Sequence, residues 1–256
     1  MIVKEFIEAR WKATIGSVVA VLFTVALAST YNLIKNALAG QLTGNAARQI
    51  PSQLQGTIQQ LTGSYDAYVW SQWFSKNGPE ILAILAAVLG ASLIASEVNK
   101  GTIFFLLSKP VNRDRVLLTK YLVSALILLG VMLLSGFAMF IAAASVGHPQ
   151  NVGGVLISTV LLWLGMLFVL GLALLFSVLF HDVLRPLIFS LLFTLLLSIP
   201  SLIPNATLND WSLTFYWSNF AAYQGTMFPL KALLICLIAA LVPVALAIPL
   251  FRKQAY

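Results

Sequence analysis

Charge is the scarcest thing in this chain. Of 256 residues only 9% are Asp, Glu, Lys or Arg, while 60% are hydrophobic; soluble domains run near 25% charged and about 45–50% apolar. With a mean hydropathy of +0.93, the sequence has too little polar surface to fold as a water-soluble globule. Cysteine is nearly absent too. Cys236 is the single one and sits in an apolar stretch, which excludes an internal disulfide and a thiolate metal site. No G-x-x-x-x-G-K-[ST] loop occurs, so the chain has no phosphate cradle for hydrolysing ATP by that route. Acidic residues are few, and Glu80, Glu97, Asp114, Asp182 and Asp210 stand at the ends of apolar stretches or in loops. That placement argues against proton or sodium coupling and against an intramembrane enzyme, both of which put ionisable groups deep inside spans.

What the chain has instead is apolar length. Six stretches, roughly 13–34, 79–96, 116–146, 153–180, 184–204 and 230–251, are each long enough to cross a bilayer. The polar remainder is too short for a separate soluble domain of about 100 residues, so residues 1–256 read as one all-α polytopic membrane domain of six transmembrane helices. The net charge of +7 would suggest nucleic acid in a soluble protein. Here the basic residues flank apolar spans, so the partners they indicate are membrane lipids and not nucleic acid. Lys4, Arg10, Lys12, Lys100, Lys109, Arg113, Arg115, Lys120, Arg185, Arg252 and Lys253 fall on one side; Lys35, Arg48, Lys76 and Lys231 fall on the other. By the positive-inside bias both termini are cytoplasmic, in a plasma or inner membrane. His148 and His181 then lie in turns on opposite sides, which prevents a shared metal or haem.

The connecting segments carry patterns of their own. Ile2, Val3, Phe6, Ile7 and Trp11 share one arc of a helical wheel and Lys4, Glu5, Glu8 and Lys12 the other, so residues 1–12 read as an interfacial helix. A basic start, an apolar run and Ala26-Leu27-Ala28 also fit a secretory signal, but two glutamates in its basic region count against it. Residues 35–78 form a polar extracytoplasmic loop in which 50–61 could be a short helix. Tyr68, Trp70, Trp73 and Phe74 at its end read as an interfacial aromatic belt, with ligand binding the other use. Between the fifth and sixth spans, Leu213, Tyr216, Trp217, Phe220, Tyr223 and Met227 recur at helical spacing. They suggest a short re-entrant helix or helix pair, or an interfacial amphipathic one. Ala83, Ala87, Gly90 and Ala91 place small residues along the second span, suited to internal packing or to a dimer interface.

Residues 97–115, between the second and third spans, are the most informative. The stretch from 97 to 120 reads EVNKGTIFFLLSKPVNRDRVLLTK. Gly101 and Thr102 open an apolar run of Ile103, Phe104, Phe105, Leu106 and Leu107, which Ser108 and Pro110 close. Five apolar side chains in a basic cytoplasmic loop need a cover. The bilayer surface is one, with Lys100, Lys109, Arg113 and Arg115 on anionic headgroups; a groove on a soluble partner, with Phe104 and Phe105 as anchors, is the other.

Glu97, Gly101, Thr102, Leu106, Leu107, Ser108, Pro110, Arg113 and Lys120 follow a pattern E-x3-G-T-x3-L-L-S-x-P-x2-R-x6-K that resembles the permease subunits of type-2 ABC exporters. The interfacial N-terminal helix, the six spans and the aromatic segment before the last span are similar as well. The resemblance implies that residues 98–109 are a coupling helix resting in a cleft of a cytosolic ATP-binding subunit, with Glu97 at the membrane end of the second span. It implies two such ATPase subunits, ATP and magnesium bound by them and not by this chain, and a second permease chain, identical or homologous. It also leaves room for a non-transporting relative, a scaffold or force-transducing subunit that keeps the coupling helix but moves nothing across.

Overall fold

The computed structural model describes residues 2–42, 58, 63–104, 112–202 and 209–254, all helical or in turns between helices. Helix α1 spans Ile2–Leu42. A helical run follows from Tyr65, made of α2 (Tyr65–Val69), a π-helical segment (Trp70–Asn77) and α3 (Gly78–Ala91), then a turn and α4 (Ala95–Asn99). Helices α5 (Arg113–Ser145), α6 (Val152–Leu179) and α7 (Leu184–Ser198) come next, α7 tightening into a 3₁₀ turn at Ile199–Leu202. Two short helices, α8 (Leu213–Trp217) and α9 (Phe220–Gln224), precede α10 (Leu230–Lys253). Among the described residues five helices are long and apolar enough to cross a membrane: α1, α5, α6, α7 with its 3₁₀ turn, and α10.

Helix ends follow local chemistry. Asn112 has an extended backbone and its side chain accepts from the Asp114 amide, opening α5; Asn151 accepts from the amides of Gly153 and Gly154 and opens α6. Arg252 and Lys253 occupy the last turn of α10, where cations suit the helix dipole. Helix α6 is the centre of the bundle, buried over most of its length and packed by α10, α3, α7 and α5. Helices α1, α7 and α10 present apolar side chains outward, such as Leu22, Leu195 and Ile238. That is the pattern of surfaces meant for lipid.

Three expectations are revised. Residues 1–12 and the first span are not separate elements: one helix runs without a break from residue 2 to residue 42, about 60 Å at 1.5 Å per residue. The second apolar stretch is not one helix over 79–96. Its helical run begins at Tyr65, inside the segment read as a loop, and α3 stops at Ala91. The break is built by a distant hydroxyl: Ser177 Oγ accepts from the amides of Ile94 (3.0 Å) and Ala95 (2.8 Å) and donates to the Ala91 carbonyl (2.9 Å). Those orphan groups would otherwise be buried unpaired. Finally, the aromatic belt is a core. Tyr68, Trp73 and Phe74 are buried inside the bundle, and Trp70 packs on Phe220. The expected helix at 50–61 falls outside the described residues except at residue 58, which is helical.

The small stripe of the second span is also placed. Ala87, Gly90 and Ala91 are buried within this chain; an added Cβ at Gly90 would lie 2.6 Å from the Leu170 carbonyl oxygen of α6. Packing inside the chain uses these three, while Ala83 is half-buried.

The segment before the last span is a helix pair. Tyr216, Trp217 and Tyr223 are buried against the bundle, while Met227, read on the same face, is exposed. Trp217 seats directly over Gly165 of α6, where a Cβ would lie 2.2 Å from the ring. Gly165→Val should therefore undock α8, lowering the unfolding temperature of the purified protein at a cost of about 1–3 kcal/mol. Adding Trp217→Ala should remove the clash; thermal unfolding of both variants measures whether the second change adds less than it does alone.

Candidate functional site

At one end of the bundle the N-terminal part of α1, α4 and the first turns of α5 converge on a charged cluster. Lys120 is a lysine four residues into an apolar stretch, 2% exposed. Its Nζ donates to Glu5 Oε2 at 2.9 Å and to Glu97 Oε1 at 3.1 Å. Both glutamates are buried. Lys4 Nζ stands 3.5 Å from Glu97 Oε1 and 3.3 Å from Glu8. Oxygens of Glu5, Glu8 and Glu97 lie within 4.8 Å of one another. The positive charge among them comes from Lys120 and Lys4.

Glu97 is the junction. Burial alone would raise its pKa, but the Thr102 hydroxyl, which donates to Oε2, and the ammonium groups of Lys120 and Lys4 outweigh it. The carboxyl is held below the ordinary glutamate range. Thr102 Oγ1 is also 3.3 Å from the Glu97 carbonyl oxygen, which fastens the turn after α4. Gly101 takes φ +70°, left-handed backbone that favours glycine.

The residues expected in the cytoplasmic segment separate clearly. Glu97 and Ile103 are buried, Lys100 and Gly101 exposed, and Thr102 half-buried. Phe104 projects outward at 62% exposure. Phe105, Leu106, Leu107, Ser108 and Pro110 lie outside the described residues. Arg113 heads α5, where its guanidinium donates to the carbonyls of Phe251 (3.3 Å) and Gln254 (2.8 Å). Beside it Asp114 pairs with Arg252, so the start of α5 is tied to the end of α10.

Sequence reading placed Glu5 and Lys4 only on the polar arc of an interfacial helix and did not anticipate that they meet Glu97 and Lys120 in a buried charged cluster. The signal available was Lys120, an ionisable residue inside an apolar run, which demands a partner. The cluster nevertheless closes on itself, each buried carboxylate facing a lysine at one end of the bundle. It has the form of a structural tie between three segments.

The histidines stay apart. His148 stacks on Tyr65 with ring centres 4.6 Å apart, at the end of the bundle where Tyr31 of α1 also packs. His181 is exposed in the turn before α7. The tripeptide 205–207, a match to a glycosylation acceptor, lies outside the described residues.

Comparison with protein families matches residues 2–255 to the family described as ABC-2 family transporter protein. No curated protein matches the chain.

Because Lys120 is buried between two carboxylates, Lys120→Met should leave uncompensated charge and cost about 3–5 kcal/mol, whereas Lys120→Met with Glu5→Gln and Glu97→Gln should recover most of it. The depressed pKa of Glu97 adds a pH signature. Its contribution is fully present above the unfolded glutamate value of about 4.3 and is lost as pH falls through the lower folded-state value. Thermal unfolding across pH should show wild type and Glu97→Gln converging only at the acid end.

Proposed function

The chain belongs to the ABC-2 family of transporter membrane proteins, and from that premise we propose that it is the permease subunit of an ATP-driven exporter whose pathway forms between two permease chains. Family membership makes it the membrane component of an ABC transporter, with ATP hydrolysis on an associated ATP-binding subunit. In the proposed assembly two such subunits sit on the lysine-rich, cytoplasmic side, where both termini of the six-span permease lie. Residues 98–109 form the coupling helix that rests on them.

The observation that carries this reading is the tie at Glu97. Phe104 stands exposed directly after a segment whose root, through Thr102 and Glu97, is bonded to Lys120 of α5 and, through Lys120, to Glu5 of α1. An apolar knob on a charged, rigidly rooted turn suits docking into a partner groove better than lying on a membrane, because the root passes displacement on to two long helices. Movement of Phe104 would reach α1 and α5 without rearranging the bundle core. An ion-coupled carrier would need a carboxylate free to exchange its ion, and Glu5 and Glu97 are both held by Lys120.

Purifying the chain from native membranes in mild detergent should bring down a stoichiometric P-loop ATPase. In the reconstituted complex, Phe104→Ala with Phe105→Ala should reduce permease-dependent ATPase stimulation to the level of the free ATPase. Trp211→Ala, exposed near α8 and remote in sequence from the coupling segment, should leave it unchanged. Undiminished stimulation in the phenylalanine double variant would refute the coupling contact. Transport assays with the intact complex separate an exporter from a force-transducing relative.

A further inference from the structure

Beside the ion cluster lies a cavity of about 230 Å³ between α1, the α3–α4 turn and α5. That is far more than one water needs. Its lining includes Lys12, Lys100, Lys120, Ser92, Ser96 and Ser124, with Glu5 and Glu8. The charges around it do not cancel. Lys120 is satisfied by Glu5 and Glu97, and Glu8 is paired with Lys4. Among the described residues neither Lys12 nor Lys100 has a carboxylate at ion-pair distance, although Glu8 acts on Lys12 from farther off; Lys4, Lys12, Lys100 and Lys120 against Glu5, Glu8 and Glu97 leave one positive charge in excess. Lys12 Nζ has only the Ser92 hydroxyl, 2.5 Å away, whose own proton goes to the Leu89 carbonyl. Ser124 is 3% exposed, lines the same cavity, and has no hydrogen-bond partner among the described residues.

One excess positive charge, two ammonium groups outside any close ion pair and a buried hydroxyl donor around one polar cavity suit an anion with several acceptor oxygens. A phosphate answers that description, with acceptor oxygens enough for ammonium and hydroxyl donors together. The surroundings indicate where it comes from. On α1 the apolar Ile7, Trp11 and Ile15 near Lys12 are 55%, 67% and 62% exposed, an apolar surface beside cationic groups of the kind that acyl chains and headgroups cover together. We infer that the cavity bounded by Lys12, Lys100 and Ser124 binds a phosphate group, supplied by an anionic phospholipid headgroup or by a soluble phosphate ester. Lys100 also lies in the segment proposed to rest on the ATP-binding subunit, so the site is tested on the chain without that subunit, where failure of the docking reading leaves the result unchanged.

The test uses the full chain in nanodiscs of phosphatidylcholine with a minor share of phosphatidylglycerol, counting retained phosphatidylglycerol by native mass spectrometry. Wild type should retain it, Lys12→Ala with Lys100→Ala should bind it about 30-fold more weakly, and Lys12→Arg with Lys100→Arg should keep it. Arg185→Ala, an exposed cation outside the cavity, should match wild type. Glycerol phosphate titrated into phosphatidylcholine-only nanodiscs assigns the source: binding there, lost in the alanine double variant, means a soluble ester, and binding of phosphatidylglycerol alone means a lipid. Equal retention by wild type and the alanine double variant overturns the site. So does an equal loss in Arg185→Ala, which would mark general surface charge, or no binding of either probe by wild type.

Discussion

A lysine ammonium at 2% exposure survives only if its charge is answered on the spot. Lys120 is answered by Glu5 and Glu97, and that requirement organises one whole end of the molecule. It holds the first turns of α1 against α5 and fixes where α4 must sit. Through Thr102 it also sets the direction in which the chain leaves α4. Removing Lys120 leaves two buried carboxylates facing one another, so the lysine is the member on which the positions of the other segments depend. The neighbouring tie of Arg113 and Asp114 to the end of α10 extends the same arrangement to a third long helix.

The rest of the bundle obeys the second constraint of an apolar medium, that backbone polar groups find partners inside the protein. The second apolar stretch breaks after Ala91, where Ser177 accepts two hydrogen bonds and donates one. Close helix contact replaces lost hydrophobic driving force: Gly90 lies against α6 and Gly165 lies under Trp217. Tyr68, Trp73 and Phe74 join this core, so their bulk goes into packing and not into anchoring at an interface.

These two constraints connect structure to role. A membrane component driven by a separate ATP-binding subunit needs a surface feature that moves and a stiff path from it to the spans. In the proposed reading Phe104 is that feature and the Glu97–Lys120–Glu5 chain that path. Salt screens a buried path of this kind far less than a surface one. The proposed phosphate site, with Lys12 and Lys100 outside any close ion pair, lies beside the same path.

The apolar stretches at 116–146, 153–180 and 230–251 correspond closely to α5, α6 and α10, because in these three an uninterrupted apolar run sets the minimum length of a spanning helix. The family, too, was legible, in the spacing from Glu97 to Lys120. What the sequence could not yield depends on pairs far apart in the chain. Nothing near Ser92 reveals that Ser177 will cap a break there, and nothing near Glu5 reveals a lysine 115 positions later. Hydropathy likewise cannot say which apolar face meets lipid and which meets another helix, since both are equally apolar; Trp73 and Ala87 were assigned only when α6 and its neighbours closed around them. Sequence by itself determined the membrane class, most helix lengths and the family. Tertiary structure alone decided the partner of each buried charge and the place of each break, because an isolated charge or unpaired amide in an apolar medium is resolved by whatever reaches it in space.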